Sequence, residues 1–142
     1  MKLHVLIDTD ILLDCCLNRE PYISDSIKIL QLCELQKIQG YTTPVILSNL
    51  FYILRKNNSL EKVKLFIENL LKLLKVVDMN QQVVYEALVS GLKDFEDAMQ
   101  YFSAVQHPEI SILLTRNRKD FEGNELSILS PSELLSVITT QA

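Results

Sequence analysis

The sequence predicts an α/β fold in which a mostly parallel sheet of four to five strands is flanked by helices. Short apolar runs with β-branched residues alternate along the chain with longer segments whose apolar residues recur at helical spacing. Only 3 Gly and 4 Pro occur among 142 residues, which argues against a turn-rich all-β protein. Because 48% of the residues are hydrophobic, we expect one domain over residues 1–142 with a proper core.

The first strand is the apolar run at residues 5–7, which stops at a carboxylate, Asp8. Such runs are typical of strands buried on both faces of a parallel sheet. Ligands bind outside the carboxyl ends of the strands in these sheets, so the position of Asp8 favours a function over a mere turn. A mostly apolar helix follows at residues 11–17, and we expect Asp10 to be its N-cap residue.

The next helices and strands have local boundary signals. Ser24 or Asp25 can cap a helix that is expected to end at Gly40, and residues 41–43 form a short second strand. Pro44 then suits the first turn of another helix.

Ser59 caps an amphipathic helix at residues 59–74, whose wide apolar face could pack in the core or against a partner. The remaining strands are predicted at the apolar runs 76–77, 110–114 and 127–129. The remaining helices are predicted after Asp78 or Asn80, at residues 95–105, and after Ser130-Pro131-Ser132-Glu133, which has capping-box spacing.

The composition restricts the function. A net charge of −4 provides no general positive field, so a polyanionic substrate must be held locally or through cations. Three cysteines, Cys15, Cys16 and Cys33, make neither an even disulfide set nor a Cys-x-x-Cys ligand pair. No glycine-rich phosphate loop and no apolar run of ~20 residues occurs, so we expect a cytoplasmic protein without membrane association that is not a nucleotide-triphosphate enzyme.

An acidic pair supplies the second candidate for chemistry. Asp94 and Asp97 are three residues apart, which places both carboxylates on one face once a helix has begun. If Asp8 lies nearby, the like charges repel, and a hard divalent cation such as Mg²⁺ or Mn²⁺ would supply the missing positive charge. Alternatively, Asp94 only caps the helix and Asp97 only favours its first turn. Glu96 is expected to point away from both.

A polar cluster follows the fourth strand. Thr115 and Asn117 could complete a metal site or orient water, while the basic side chains of Arg116, Arg118 and Lys119 could bind phosphates. The sequence agrees equally well with a solvated turn that is anchored by the residues at 120–121 and has no binding function.

Three blocks of sequence together resemble the PIN domain, the nuclease fold of VapC-type toxins. The blocks are VLIDTD at residues 5–10, DFEDAMQY at 94–101 and LTRNRKDF at 114–121. The resemblance implies a PIN-like three-layer sandwich with a metal-dependent ribonuclease site at the carboxyl edge of its sheet. It makes Asp8 the first catalytic and metal-binding acid, Asp97 the third, and Asp94 a supporting acid.

The chain departs from the PIN pattern at two positions. Asn49 stands where the family usually has a glutamate, and Asn117 stands at the last position of a Thr-x-Asp motif, with the nearest carboxylate displaced to Asp120. An amide keeps an oxygen donor but loses a charge, so we expect weaker metal binding and a less active or one-metal site. Asn49, Thr115 and Asn117 are therefore predicted to be supporting polar residues.

The resemblance also implies an RNA substrate, a homodimer and an antitoxin protein as partner, for which the helix at residues 59–74 is the candidate contact. Two other functions stay open. The two amides favour a PIN-like module that binds RNA or protein without catalysis. The sequence Asp8-Thr9-Asp10 also resembles the nucleophile motif of haloacid-dehalogenase-type phosphatases, although the chain is short for that family.

Overall fold

The computed structural model describes residues 2–121 and 125–141. Within them, five strands form one sheet in the order β3-β2-β1-β4-β5, and every neighbouring pair is parallel. The strands are β1 (Leu3–Ile7), β2 (Ile38–Thr42), β3 (Leu74–Val76), β4 (Ile112–Leu114) and β5 (Ser127–Leu129). The predicted α/β fold with four to five strands is confirmed, and the sheet is wholly parallel.

Helices cover both faces of the sheet and complete the three-layer sandwich. The described residues form α1 (Thr9–Cys16), α2 (Ile23–Glu34), α3 (Pro44–Arg55), α4 (Leu60–Leu73), α5 (Gln81–Val89), α6 (Phe95–Gln106) and α7 (Pro131–Gln141). None of these helices combines the length and the apolar character that crossing a membrane requires.

Several helix starts follow the local rules that predicted them. The side chain of Ser59 accepts a hydrogen bond from the backbone N–H of Lys62, and the side chain of Asn80 caps α5 in the same way. At the start of α7 the predicted capping box is present, because the Ser130 hydroxyl and the Glu133 carboxylate each bond to the other's backbone N–H.

The core lies around β1. Val5, Leu6 and Ile7 are completely buried although their side chains alternate between the two faces, since helices cover both. Leu113 and Leu114 of the neighbouring strand are buried as completely. The sheet is therefore a rigid support for side chains that follow the ends of β1 and β4.

The predicted end of α2 at Gly40 is wrong. The helix ends at Glu34, and Gln36 adopts a left-handed conformation with φ of 59°, so that the backbone N–H of Lys37 bonds to the Leu32 carbonyl at 2.9 Å. Gly40 instead lies inside β2, where a Cβ atom would come within 2.6 Å of Leu74 Cδ2. Glycine is needed there for packing.

Other boundaries also move. α2 begins at Ile23, and its N-cap residue Tyr22 makes no side-chain cap bond, so neither Ser24 nor Asp25 caps the helix. β3 starts at Leu74, directly after α4, instead of at residue 76.

The three cysteines are free thiols. Burial raises the pKa of Cys15 to about 11 and those of Cys16 and Cys33 to about 12. The thiolate is the reactive form, so we expect the native protein at pH 8 to react much more slowly with an aromatic disulfide reagent than the urea-unfolded protein does. Equal rates for native and unfolded protein would contradict this prediction.

Candidate active site

The strand order places a crevice between β1 and β4. From β1 the chain passes to β2 and β3 on one side, and it reaches β4 and β5 on the other side, so the strand order reverses between β1 and β4. Ligands of open α/β sheets bind at such switch points, outside the carboxyl ends of the strands. Asp8 and Thr115 are the first residues after β1 and β4.

Asp8 is held by both of its carboxylate oxygens. Oδ1 accepts a hydrogen bond from the backbone N–H of Thr9 at 2.7 Å, and Oδ2 accepts one from the hydroxyl of Thr115 at 2.8 Å. The side chain is 7% exposed. Asp8, not Asp10, is the N-cap residue of α1, which corrects the sequence prediction. The strand end and the helix start thus fix the same carboxylate.

The environment of Asp8 disfavours its ionised form. Burial, followed by the charge of Asp10, raises its pKa to about 6, although the hydrogen bonds from Thr115 and Thr9 act in the opposite direction. The negative charge of Asp120 adds to the rise. A carboxylate in this setting binds a proton more readily than an exposed aspartate does.

Two acids, Asp94 and Asp97, stand at the start of α6, and the charge of Asp8 acts on Asp97. Asp94 is the N-cap residue, and its carboxylate accepts a hydrogen bond from the backbone N–H of Asp97 at 2.9 Å. Burial raises the pKa of Asp97 to about 7, and the charges of Asp94, Asp8 and Asp120 contribute in that order. The fold therefore brings together the acids that the sequence separates by almost ninety residues.

A cavity of about 300 Å³ opens beside these acids. It is lined by Gly91, Leu92, Lys93, Asp94, Asp97, Lys119 and Asp120. Lys93 and Asp120 were not predicted as site residues. The signal for Lys93 in the sequence is its position before Asp94, and the signal for Asp120 is that it is the nearest carboxylate after the Thr115-Arg116-Asn117 motif.

Asn49 contacts a carboxylate instead of replacing one. Its side-chain amide donates a hydrogen bond to the carboxylate of Glu96 at 2.8 Å. Glu96 is exposed, as expected, and its charge contributes least among the causes that raise the pKa of Asp97. Part of the negative charge that is missing at Asn49 is thereby supplied from α6.

Arg116 is engaged inside the protein. Its guanidinium donates two hydrogen bonds to the carboxylate of Asp14, at 2.8 and 3.2 Å, and Asp14 is fully buried on α1. The guanidinium also stacks over the ring of Tyr22, 3.8 Å from its centroid. Arg116 thus connects α1 and the start of α2 to the segment that follows β4.

The other predicted side chains of this segment have different surroundings. The Asn117 side chain donates to Asp10 at 3.2 Å, and its backbone N–H donates to the Thr115 hydroxyl at 3.0 Å. Arg118 pairs with Glu133. Among the three predicted basic residues, Lys119 is the one that lines the acidic cavity.

The donor set fits a divalent cation only in an open site. Within residues 2–121 and 125–141, no three His, Cys, Asp or Glu side chains converge closely enough to hold a metal ion by themselves. Mg²⁺ usually keeps several waters and binds one or two carboxylates together with substrate phosphates. Asp97 lines an open cavity, and hydrogen bonds orient both oxygens of Asp8 at the end of β1, so these two carboxylates fit that arrangement.

Three solved structures with similar folds align with most of this chain. VapBC2 from Rickettsia felis, bound to a promoter DNA fragment, aligns with a TM-score of 0.64 and 14% identity over 90% of this chain and 98% of that chain. A toxin-antitoxin complex from Klebsiella pneumoniae aligns with a TM-score of 0.67 and 22% identity over 89% of this chain and 97% of that chain. FitAB bound to an IR36 DNA fragment aligns with a TM-score of 0.64 and 15% identity over 89% of this chain and 94% of that chain.

Sequence comparisons identify the family. A comparison with curated proteins finds no significant match. A family model described as PIN domain matches residues 4–119, a range that contains Asp8, Asp97 and Thr115. Since the match extends over most of the sequence and agrees with the fold of the solved structures, the chain belongs to the PIN domain family.

Proposed function

We propose that this protein is a VapC-type toxin that hydrolyses RNA phosphodiester bonds with the help of Mg²⁺ or Mn²⁺. The observation that carries the proposal is the position of Asp8 at the switch point of the sheet, where Thr9 and Thr115 hold both of its carboxylate oxygens. A cavity lined by Asp94, Asp97 and two lysines adds the further acids. Membership of the PIN family and the toxin-antitoxin complexes among the similar structures support it.

In the proposed mechanism, Asp8 and Asp97 would hold the cation, and Asp94 would assist by positioning Asp97. When bound, the cation lowers the pKa of water and stabilises the negative charge that develops on the phosphate. Thr115 and the Thr9 N–H each donate to one oxygen of Asp8, so the carboxylate keeps one orientation and each oxygen retains a further lone pair for the cation. Asp94 keeps Asp97 at the start of α6.

The proposed partner is an antitoxin protein. A largely apolar groove of about 500 Å³ lies between α3 and α4, lined by Leu47, Ser48, Phe51, Tyr52, Arg55 and Ile67. Tyr52 is 71% exposed, so an amphipathic helix could cover it. The predicted contact helix at residues 59–74 therefore forms only one side of the groove, and α3 forms the other. We also propose that two copies of the chain form a homodimer.

The test of the metal site is a titration with Mn²⁺ at two pH values. At pH 8, Asp8 and Asp97 are both ionised, because their pKa values are about 6 and about 7. At pH 5 protons compete with the cation. At pH 8 only, we expect a saturable heat of Mn²⁺ binding and a higher melting temperature. With free Mn²⁺ at a hundred times Kd, the free energy of unfolding should rise by about 2.7 kcal/mol.

The pH dependence without divalent cations provides an independent check. Because the pKa values of both acids lie above 3.8 in the folded state, their effect on stability is least favourable at pH 8 and improves as the pH falls through 7 and 6. No response to Mn²⁺ at pH 8 would contradict the metal site. If RNA bound in the presence of Mn²⁺ without being cut, the protein would be a binding module instead.

A further inference from the structure

Among the residues that the structure describes, four basic side chains lie in or next to the candidate site, and they divide into two pairs. Arg116 and Arg118 are engaged by Asp14 and Glu133, and Arg116 also stacks on an aromatic ring. Lys93 and Lys119 line the acidic cavity.

The two lysines enter the cavity from separate segments. Lys93 immediately precedes Asp94, the N-cap residue of α6, and Lys119 lies in the 3₁₀ turn Arg118–Asp120 after β4. Each lysine is therefore next in sequence to an acid of the same cavity. The cavity thus contains the negative charges that would hold a cation and, on two segments, the positive charges that a polyanion requires.

A local positive charge matters in this protein because its net charge is −4. Overall electrostatic attraction of a nucleic acid is absent, and the acids of the site repel phosphates. If Arg116 left Asp14, the buried carboxylate would lose both of its hydrogen bonds from the guanidinium and keep only Arg19 Nη1 at 3.9 Å, which is costly. Arg118 has Glu133 as a partner of opposite charge.

We propose that Lys93 and Lys119 bind the backbone phosphates of the substrate strand on two sides of the cavity, and that Arg116 and Arg118 do not contact the strand. This inference rests on the proposed ribonuclease function. It assigns a role to Lys93, and it transfers the expected role of the two arginines to the lysine pair.

The test compares the affinities of full-length variants for a fluorescein-labelled single-stranded RNA in Mg²⁺. The variants carry Asp8→Asn to prevent cleavage, combined with Lys93→Gln, Lys119→Gln, Arg118→Gln or Lys28→Gln. Arg118→Gln removes the charge adjacent to Lys119, and Lys28 lies on α2 at a different cavity. Between about 50 and 200 mM salt, each phosphate contact contributes about −0.7 to the slope of log Kobs against log salt.

We expect Lys93→Gln and Lys119→Gln each to weaken binding about fivefold at low salt and to reduce the slope by about 0.7, while the two controls change neither. Lys→Arg at either position should retain the slope. The inference is overturned if Arg118→Gln weakens RNA binding and reduces the salt slope as much as the lysine variants do. It is also overturned if the lysine variants keep the full slope while the protein with Asp8 intact cuts RNA. If that protein neither binds nor cuts RNA, the proposed function fails as well.

Discussion

Asp8→Asn is expected to lower the rate of RNA cleavage by more than about a hundredfold. Substituting a residue that only orients a metal ligand typically costs 10- to 100-fold, and Asp8 is the proposed ligand itself. Asparagine retains an oxygen that can accept the Thr9 N–H bond, so the start of α1 should persist. The measurement is the initial rate on a labelled RNA in Mg²⁺, and cleavage within tenfold of the wild type would exclude the proposed role.

The same variant should be more stable than the wild type at pH 8 without divalent cations. Burial raises the pKa of Asp8 to about 6, so its ionised form opposes folding, and removing the charge should add about 1–3 kcal/mol to the free energy of unfolding. The gain should shrink as the pH falls through 6 and disappear well below 3.8, where the carboxyl is neutral in both states. Asp25→Asn on α2 is the matched control, for which we expect neither effect.

Arg116→Met is expected to lower the free energy of unfolding by about 3–5 kcal/mol. The substitution leaves the carboxylate of Asp14, which is fully buried, without its two hydrogen bonds from the guanidinium. Arg118→Met is the control. Its pair with Glu133 is exposed and should contribute at most about 1 kcal/mol. Urea denaturation of both variants at pH 7 measures the difference.

A double variant identifies the cause of that loss. If the buried charge of Asp14 is responsible, Asp14→Leu combined with Arg116→Met should recover most of the stability, because apolar groups of similar size often replace a buried ion pair without loss. A double variant that is as unstable as Arg116→Met would show that Arg116 stabilises the protein through other contacts, such as its stacking on Tyr22.

Local patterns predicted most of the elements and the first acid. Ser59, Pro44 and Ser130 marked helix starts because capping depends on residues within one turn. The prediction that α2 ends at Gly40 was wrong because glycine also permits close packing inside a strand. The left-handed residue after the helix, usually a glycine, is Gln36 in this chain. The end of a helix is therefore a weaker signal than its start.

The partners of the site residues depend on contacts between distant segments. Thr115 donates to Asp8 across 107 positions, and Asn49 donates to Glu96 across 47. Arg116 and Lys119 are both basic and stand three positions apart, yet Arg116 is paired with a buried carboxylate and Lys119 lines the cavity. Residue type indicates that a side chain is charged but does not identify the oppositely charged side chain that it faces.

By itself, the sequence determined a parallel α/β sheet and an aspartate at the end of its first strand, because apolar periodicity and the end of an apolar run are local properties. The tertiary structure decided that Asp8 lies at the same edge of the sheet as Thr115 and that two lysines share a cavity with Asp94, Asp97 and Asp120. The physical reason is the strand order, which places β4 next to β1 and thereby brings the ends of segments that are far apart in the chain to one edge of the sheet.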